Sequence, residues 1–295
     1  MTKPLKKNGF CGTMRMDEEV HPKNDREGGN GMIETLKREK NLKSIADFRM
    51  FDDTFMSAVF DGQIEETQFL IRVILNREDI EVIESKAQFF ISNTYGHGVR
   101  LDIRAQDKEG RVYHFEVERN KERASAQRAR FTGALVDIQL LKRNKSFKEI
   151  PDRYTIFITE EDKFGAGLPI YHAENKVTEL ENTPLGDGGY IIYVNGAYRN
   201  TETPIGQLMH DFSCKDPKDI MNKVLRDRVS FLKNTEGGRD RVCQIMEKRI
   251  DEEKIELAKR ALETGKYTPE EVSFLFELPI AFVEELVRKE PVVFA

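Results

Sequence analysis

The sequence lacks the features that mark membrane-spanning, secreted and disulfide-stabilised proteins. No run approaches the ~18 uninterrupted apolar residues of a membrane-spanning helix. No apolar segment follows the basic residues at the N-terminus, as a secretory signal would require. The three cysteines, Cys11, Cys214 and Cys243, form no CxxC pair, so neither a disulfide framework nor a zinc knuckle fits. We therefore expect a cytoplasmic protein without a membrane contact.

The chain also lacks a large excess of either charge. Its 295 residues include 47 Lys and Arg against 52 Asp and Glu, a net charge of −5, and 39% of them are hydrophobic. This composition is typical of a globular protein. A chain of this length can bury roughly three quarters of its unfolded surface, enough for one large domain and an appendage. The mild acidity excludes a surface that binds nucleic acid all over, but it leaves room for a local basic groove.

Composition and periodicity divide the chain into four segments. Residues 1–45 are rich in Lys, Asn, Gly and Glu without hydrophobic periodicity, which predicts a disordered tail. A folded core is predicted over 46–215, followed by a charged helical extension over 216–250. The last segment, 251–295, is predicted to be a small helical unit resembling a helix-turn-helix, in which Thr268 begins a capping box.

Within the core, the hydrophobic period changes from helical to strand-like. Apolar residues recur at helical spacing over 54–76. Apolar and polar residues then alternate over 99–105 and 112–118, which predicts a β-hairpin. The segments 154–159 and 190–194 are nearly all apolar, as expected of strands covered on both faces. This order predicts the α/β class with a mixed sheet.

A long helix is predicted between the hairpin and the buried strands, over 121–142. One stripe of this helix is predicted to pack against the sheet. The stripe consists of Gln127, Phe131, Ala134, Leu135, Ile138 and Leu141.

The hairpin gathers carboxylates on one face. Because opposed residues of antiparallel strands share a face, the alternation puts Asp102 on the same side as Glu116 and Glu118. Like charges this close repel and raise one another's pKa unless a cation is present. Mg²⁺ or Mn²⁺ suits such a group and can activate water toward a phosphodiester. The spacing alone fits equally well a surface ladder in which Arg100 and Arg104 neutralise the acids without a metal.

From Asp52 onward, over about residues 50–250, the chain resembles the PD-(D/E)XK nuclease family transposases, also called recombination-promoting nucleases. The matching blocks are GVRLD at 98–102, FEVER at 115–119, RARF at 128–131, YTIFITE at 154–160, GLPIYH at 167–172, IYVNG at 192–196 and LMHDF at 208–212. The resemblance implies a restriction-endonuclease-like fold, with a mixed β-sheet core flanked by helices and a helical C-terminal extension. It also implies metal-dependent hydrolysis of phosphodiester bonds in double-stranded DNA, associated with transposons or recombination.

The resemblance also implies a metal site. By position, Asp102 and Glu116 match the acidic motif and would ligate Mg²⁺ or Mn²⁺, with the backbone carbonyl of Val117 as a third ligand. The family often has a further acidic ligand on the first helix, for which Glu66 is our choice. The alternatives for that position are Glu65 and Asp61.

Position 118 departs from the family pattern. The superfamily has lysine there and this branch usually has glutamine, whereas this chain has Glu118. A lysine would orient the attacking water, while a glutamate adds negative charge and could bind a second ion or accept a proton from water. The change fits equally well a weakened or inactive nuclease fold that acts as a DNA-binding or interaction module. Leu101 also replaces the leading proline of the motif.

Residues after the hairpin provide the predicted DNA contact. Arg119, Arg128 and Arg130 lie in blocks shared with the family, and Gln127 begins the predicted stripe, so these four could bind phosphates on either side of the cut. The C-terminal helices carry mixed charge, which is poor for reading a DNA groove. For them, packing or formation of a homo-oligomer is at least as well supported as DNA contact.

Overall fold

The computed structural model describes residues 38–91 and 98–288. The chain divides into two units, Met1–Glu39 and Lys40–Ala295. Everything that follows on packing and on candidate sites concerns the second unit.

Helical structure begins inside the segment predicted to be a disordered tail. Of that segment, residues 1–37 lie outside the described residues, whereas residues 38–47 are helical and are named α1. Ile45 of α1 is buried in the main core together with Phe51 and Phe55. Removing these apolar side chains from water accounts for the order at this end.

A mixed sheet of six strands forms the centre of the second unit. The strands of the described residues are β1 (Val82–Ile91), β2 (Val99–Asp107), β3 (Val112–Glu118), β4 (Arg153–Thr159), β5 (Ile170–Ala173), β6 (Lys176–Val177), β7 (Thr183–Pro184) and β8 (Gly189–Asn195). The sheet order is β1-β2-β3-β4-β8-β5, and β6 and β7 pair separately. Strands β1 to β3 are antiparallel, β3, β4 and β8 are parallel, and β5 pairs antiparallel with β8. The predicted α/β class with a mixed sheet is confirmed.

Helices cover both faces of this sheet. Their bounds are α2 (Asp53–Phe60), α3 (Ile64–Leu75), α4 (Ala126–Leu140), α5 (Pro204–Ser213), α6 (Lys223–Asn234), α7 (Glu236–Glu263), α8 (Pro269–Phe276) and α9 (Ile280–Arg288). The main core joins α2, α3, α5, α6 and α7 to alternate residues of the strands, among them Phe115 and Ile156. On the opposite face, Ala129 of α4 packs in a cluster with Phe157 and Tyr193.

The buried face of α4 differs from the stripe predicted for it. Gln127 is exposed, and the side chains of Phe131 and Ile138 are 44% and 70% exposed. Of the predicted stripe, Leu135 alone is buried. The residues of α4 that are buried are Ala129, Thr132, Gly133, Leu135 and Val136.

Polar contacts explain this rotation of α4. The Ser125 hydroxyl accepts the Arg128 N–H at 3.1 Å, which fixes where the helix begins. Further along, Gly133 lies against the Arg153 guanidinium, where a Cβ atom would be only 2.5 Å from Nη1. The sheet presents charged groups here, so Thr132 and Gly133 face it at this point, whereas Leu135 and Val136 pack against apolar residues of the sheet.

The C-terminal helices form a small cluster of their own. Helix α7 runs unbroken across the boundary predicted at residue 250, and its Ala258 packs against Val272 and Val283. The capping box predicted at Thr268 is confirmed, because the Thr268 hydroxyl and the Glu271 carboxylate each accept the other's backbone N–H. Within the described residues, no helix has the length and apolar character needed to cross a bilayer.

A buried lysine of α6 joins this helix to the end of α1 and to the segment after α5. The Lys233 Nζ donates to the carbonyls of Ala46, Phe48 and Lys215 at 3.1, 2.6 and 2.6 Å. We expect Lys233→Met to lower the free energy of unfolding by about 2 kcal/mol, because it leaves three carbonyls without their donor. Urea titration would measure the loss, and Lys223→Met, an exposed position on the same helix, should leave stability unchanged. Equal stability of Lys233→Met and wild type would contradict this role.

Candidate functional site

Strand pairing brings Asp102 next to Glu116. The last paired residues of β2 and β3 are Ile103 and Phe115, so the next opposed positions are Asp102 and Glu116. Beyond that pair the Val117 N–H donates to Asp102 Oδ2 at 2.9 Å instead of to a backbone carbonyl. The N–H and C=O of one strand residue point to the same side, so the Val117 carbonyl also faces β2. The hairpin therefore has the register that the alternation predicted.

Burial makes the acids of β3 unusual. Strand β3 lies between β2 and β4 and is buried along its whole length, with Glu116 0% and Glu118 6% exposed. Ionised carboxylates are rarely buried unless they are paired. Arg128, on the first turn of α4, supplies part of this pairing, because its guanidinium donates to both Glu116 and Glu118. Arg123 reaches Glu118 at 3.4 Å, from a side chain that is 70% exposed.

A fourth carboxylate completes the group, and the sequence reasoning did not assign it. Asp53 begins α2, and its negative charge acts on both Asp102 and Glu116. It accepts a hydrogen bond from Gln88 at 3.1 Å and forms an ion pair with Arg249 of α7. The resemblance begins at Asp52, so the position of Asp53 at its start could have marked this residue as a candidate. We name Asp53, Asp102, Glu116 and Glu118 the acidic cluster.

Carboxylates outnumber the partly buried guanidinium groups in the acidic cluster, so full ionisation would leave an excess of negative charge. Two partly buried guanidinium groups, those of Arg128 and Arg249, face its four carboxylates. The pKa of Asp102 is raised to about 7, by burial and by the charges of Asp53 and Glu118, against the Val117 N–H and Arg128. Glu116, which lies opposite Asp102, has its pKa raised well above the usual value by burial and by the charge of Asp102.

Several buried polar atoms around Arg128 and Arg249 have no hydrogen-bond partner among the described residues. They are Glu116 Oε1, both ring nitrogens of the fully buried His114, Thr132 Oγ1 and Arg249 Nη1. Burial and the charges of Arg153 and Arg128 lower the pKa of His114 to about 3, so this ring is neutral. Glu116 Oε1 thus offers a free acceptor at the centre of the acidic cluster, where a cation would satisfy it.

The acids predicted as a further ligand on the first helix have neighbours outside the acidic cluster. Glu66 has its pKa raised by burial, and its charged neighbours are Arg228 and Glu65, so the structure does not bring it to the acidic cluster. The alternative Asp61 accepts the Ala87 N–H at 3.1 Å. Among the acids of the first helices, Asp53 is the one whose charge acts on Asp102 and Glu116.

The arginines proposed for a surface ladder have other partners. Arg100 forms an ion pair with Glu252 at 2.8 Å, and Arg104 with Glu84 at 3.0 Å. The ladder hypothesis is therefore wrong about which arginines neutralise the acids. That role belongs to Arg128, which lies ten residues or more along the chain from its partners.

Of the predicted DNA-binding residues, Arg128 alone contacts the acidic cluster. Arg119 is 64% exposed and pairs with Asp52 and Glu160 at 3.4 and 3.2 Å. Gln127 and Arg130 are exposed on α4. No described contact joins these three side chains to the carboxylates of the cluster.

The acidic cluster is not a closed set of metal ligands. Over 38–91 and 98–288, no three acids place one oxygen each within 4.8 Å of one another, a criterion met there by His210, Asp211 and Cys214 alone. The donor atoms of the cluster are all oxygens, which is the set that Mg²⁺ and Mn²⁺ prefer. The oxygen donors therefore suit a hard divalent ion chemically, but Arg128 bridges Glu116 and Glu118 and the carboxylates do not converge on one point in this structure.

We expect the metal-free protein to lose stability as the pH rises from about 4 to about 7. The folded state holds the Asp102 proton up to a pKa of about 7, against 3.8 as the ordinary value. Between these values the folded state binds more protons than the unfolded chain, so stability falls with rising pH. Urea titrations in EDTA at several pH values would measure this slope, and Asp102→Asn should flatten it. An identical slope in Asp102→Asn would contradict the expectation.

Comparison of the chain with protein-family models, with curated proteins and with solved structures found no match.

Proposed function

We propose that the protein is a metal-dependent endonuclease that hydrolyses phosphodiester bonds of double-stranded DNA. The observation that carries the proposal is the group of buried carboxylates on the hairpin, with Glu116 Oε1 unpartnered among the described residues. Keeping several carboxylates together without a full set of counterions costs folding energy. Such a cost is typical of a site whose missing partner is a ligand.

The fold is consistent with this proposal. Asp102 and Glu116 lie on adjacent strands of a mixed six-stranded sheet with helices on both faces. A restriction-endonuclease-like core of the PD-(D/E)XK type has this arrangement, and the sequence blocks that resemble those of recombination-promoting nucleases support the proposal. We extend the proposal accordingly to DNA cleavage associated with transposons or recombination.

The residues of the acidic cluster divide the chemistry between them. Asp102, Glu116 and the Val117 carbonyl would hold Mg²⁺ or Mn²⁺, which supplies an activated water and neutralises charge on the phosphate. Glu118 would accept the proton of the attacking water. Arg128 would donate one arm of its guanidinium to a phosphate oxygen of the DNA.

Cleavage of supercoiled plasmid tests the proposal directly. The purified full chain should nick or cut duplex DNA with Mg²⁺ or Mn²⁺ and should lose this activity in EDTA. Cleavage that continues in EDTA would overturn the metal dependence. Absence of cleavage with either ion, in protein shown to be folded, would overturn the enzymatic function.

A second candidate function rests on the position of Arg128. Its guanidinium bridges Glu116 and Glu118. In this function the arginine charge permanently takes the place of a metal ion. The protein would then be an inactive nuclease fold that binds DNA or a partner. Glu118→Gln and Glu118→Lys separate the two functions, because a large gain of cleavage indicates degeneration, whereas a loss indicates that Glu118 takes part in catalysis.

A further inference from the structure

The end of α5 brings together three side chains that can ligate a metal. His210, Asp211 and Cys214 each place one ligand atom within 4.8 Å of the other two. Asp211 is fully buried and the other two side chains are partly exposed. This group contains nitrogen, oxygen and sulfur, so its chemistry differs from that of the all-oxygen acidic cluster.

Two of the three distances within this group match the edges of a tetrahedral zinc site. His210 Nδ1 lies 3.3 Å from Asp211 Oδ1 and 3.7 Å from Cys214 Sγ. A tetrahedral zinc ion bound at about 2.0 Å by nitrogen and oxygen and about 2.3 Å by sulfur separates these ligand pairs by roughly 3.3 and 3.6 Å. One ion could therefore contact the three atoms with little movement of the side chains.

The Asp211 carboxylate is held in place by the backbone. Its Oδ1 accepts the Met221 N–H at 2.7 Å and its Oδ2 accepts the Asn222 N–H at 2.9 Å. Each carboxylate oxygen has a second lone pair, so these bonds leave room for a metal. Outer hydrogen bonds of this kind orient ligating carboxylates in metal sites. They also join the end of α5 to the start of α6, so a bound ion would stabilise this junction.

His210 gives solvent access to the group, and Cys214 provides a soft sulfur ligand. The His210 side chain is 36% exposed, which opens the group to solvent and leaves a position for water as the fourth ligand. Cys214 Sγ lies 3.3 Å from the His210 carbonyl, to which the thiol donates when no ion is bound. Thiolate with imidazole and carboxylate is a set that selects zinc over magnesium.

We propose that His210, Asp211 and Cys214 form a zinc-binding site at the junction of α5 and α6. Binding converts the Cys214 thiol to a thiolate, and its proton passes to solvent. The site shares no helix or strand with the acidic cluster. Zinc binding can therefore be tested independently of DNA cleavage.

Cobalt substitution in the full-length protein tests this site. Metal-free protein titrated with Co²⁺ should develop the near-ultraviolet charge-transfer absorption of a cobalt–thiolate bond. Cys214→Ser should abolish that absorption, and His210→Ala should weaken Co²⁺ binding by more than the roughly 10–100-fold that loss of an outer hydrogen-bond partner costs. Cys243→Ser, at a partly buried cysteine of α7, is the matched control and should retain the signal.

Thermal unfolding supplies a second measurement. Zn²⁺ should raise the midpoint of unfolding of wild type and Cys243→Ser by several degrees, but not that of Cys214→Ser. The proposal fails if no charge-transfer absorption develops, or if it persists unchanged in Cys214→Ser. A rise in midpoint that is equal in wild type and Cys214→Ser would also overturn it.

Discussion

Replacing Asp102 with asparagine is expected to abolish Mg²⁺-dependent cleavage of DNA, with a loss of about 10³-fold or more. Asparagine keeps the shape of the side chain but removes the charge that would hold the metal against Glu116 and the Val117 carbonyl. A metal contributes several kcal/mol to such a reaction, and about 1.4 kcal/mol corresponds to a factor of ten. Initial rates on plasmid DNA at saturating Mg²⁺ would measure the loss.

Stability measurements separate this effect from unfolding. Because the acidic cluster has an excess of negative charge, Asp102→Asn should be at least as stable as wild type in EDTA. Glu109→Gln, at an exposed acid in the same hairpin, is the matched control and should cut DNA like wild type. If Asp102→Asn cuts DNA at the wild-type rate, the assignment of the active site is wrong.

The second large effect is expected for Arg128→Met. Removing the guanidinium leaves Glu116 and Glu118 buried without their main counterion, which typically costs about 3 kcal/mol or more. We therefore expect a loss of about that size in the free energy of unfolding in EDTA. Mn²⁺ should restore a large part of it, because the ion can take the place that the guanidinium leaves.

The metal response of this variant distinguishes the two candidate functions. Restoration by Mn²⁺ supports a metal site that Arg128 shares, whereas a loss of stability that Mn²⁺ does not change supports a permanent replacement of the metal by arginine. Arg130→Met, two residues further on an exposed side of α4, should change neither stability nor the response to Mn²⁺. Unaltered stability of Arg128→Met would contradict the role given to the ion pairs.

Helix α4 shows where sequence periodicity failed. Its apolar residues indicated a stripe through Phe131 and Ile138, yet both are largely exposed and the opposite side faces the sheet. Periodicity assumes that a helix buries its apolar side. Here the sheet surface under the helix carries Glu116 and Glu118, and bringing Arg128 to these acids outweighs burial of two apolar side chains.

The hairpin, and with it the proximity of Asp102 to Glu116, was predictable from local sequence patterns. Alternation along each strand fixes which side chains share a face, so the neighbourhood of Asp102 and Glu116 followed from the sequence. The capping box at Thr268 was predictable for the same reason, since its partners are three residues apart.

Only the tertiary structure decided which distant charges surround that hairpin. Asp53 and Arg249, 196 positions apart in the chain, meet beside it. Arg128 is directed inward and Glu66 lies elsewhere. Electrostatic partners are chosen by proximity in the folded chain, and no spacing along the sequence encodes the packing of α2, α4 and α7 around one sheet.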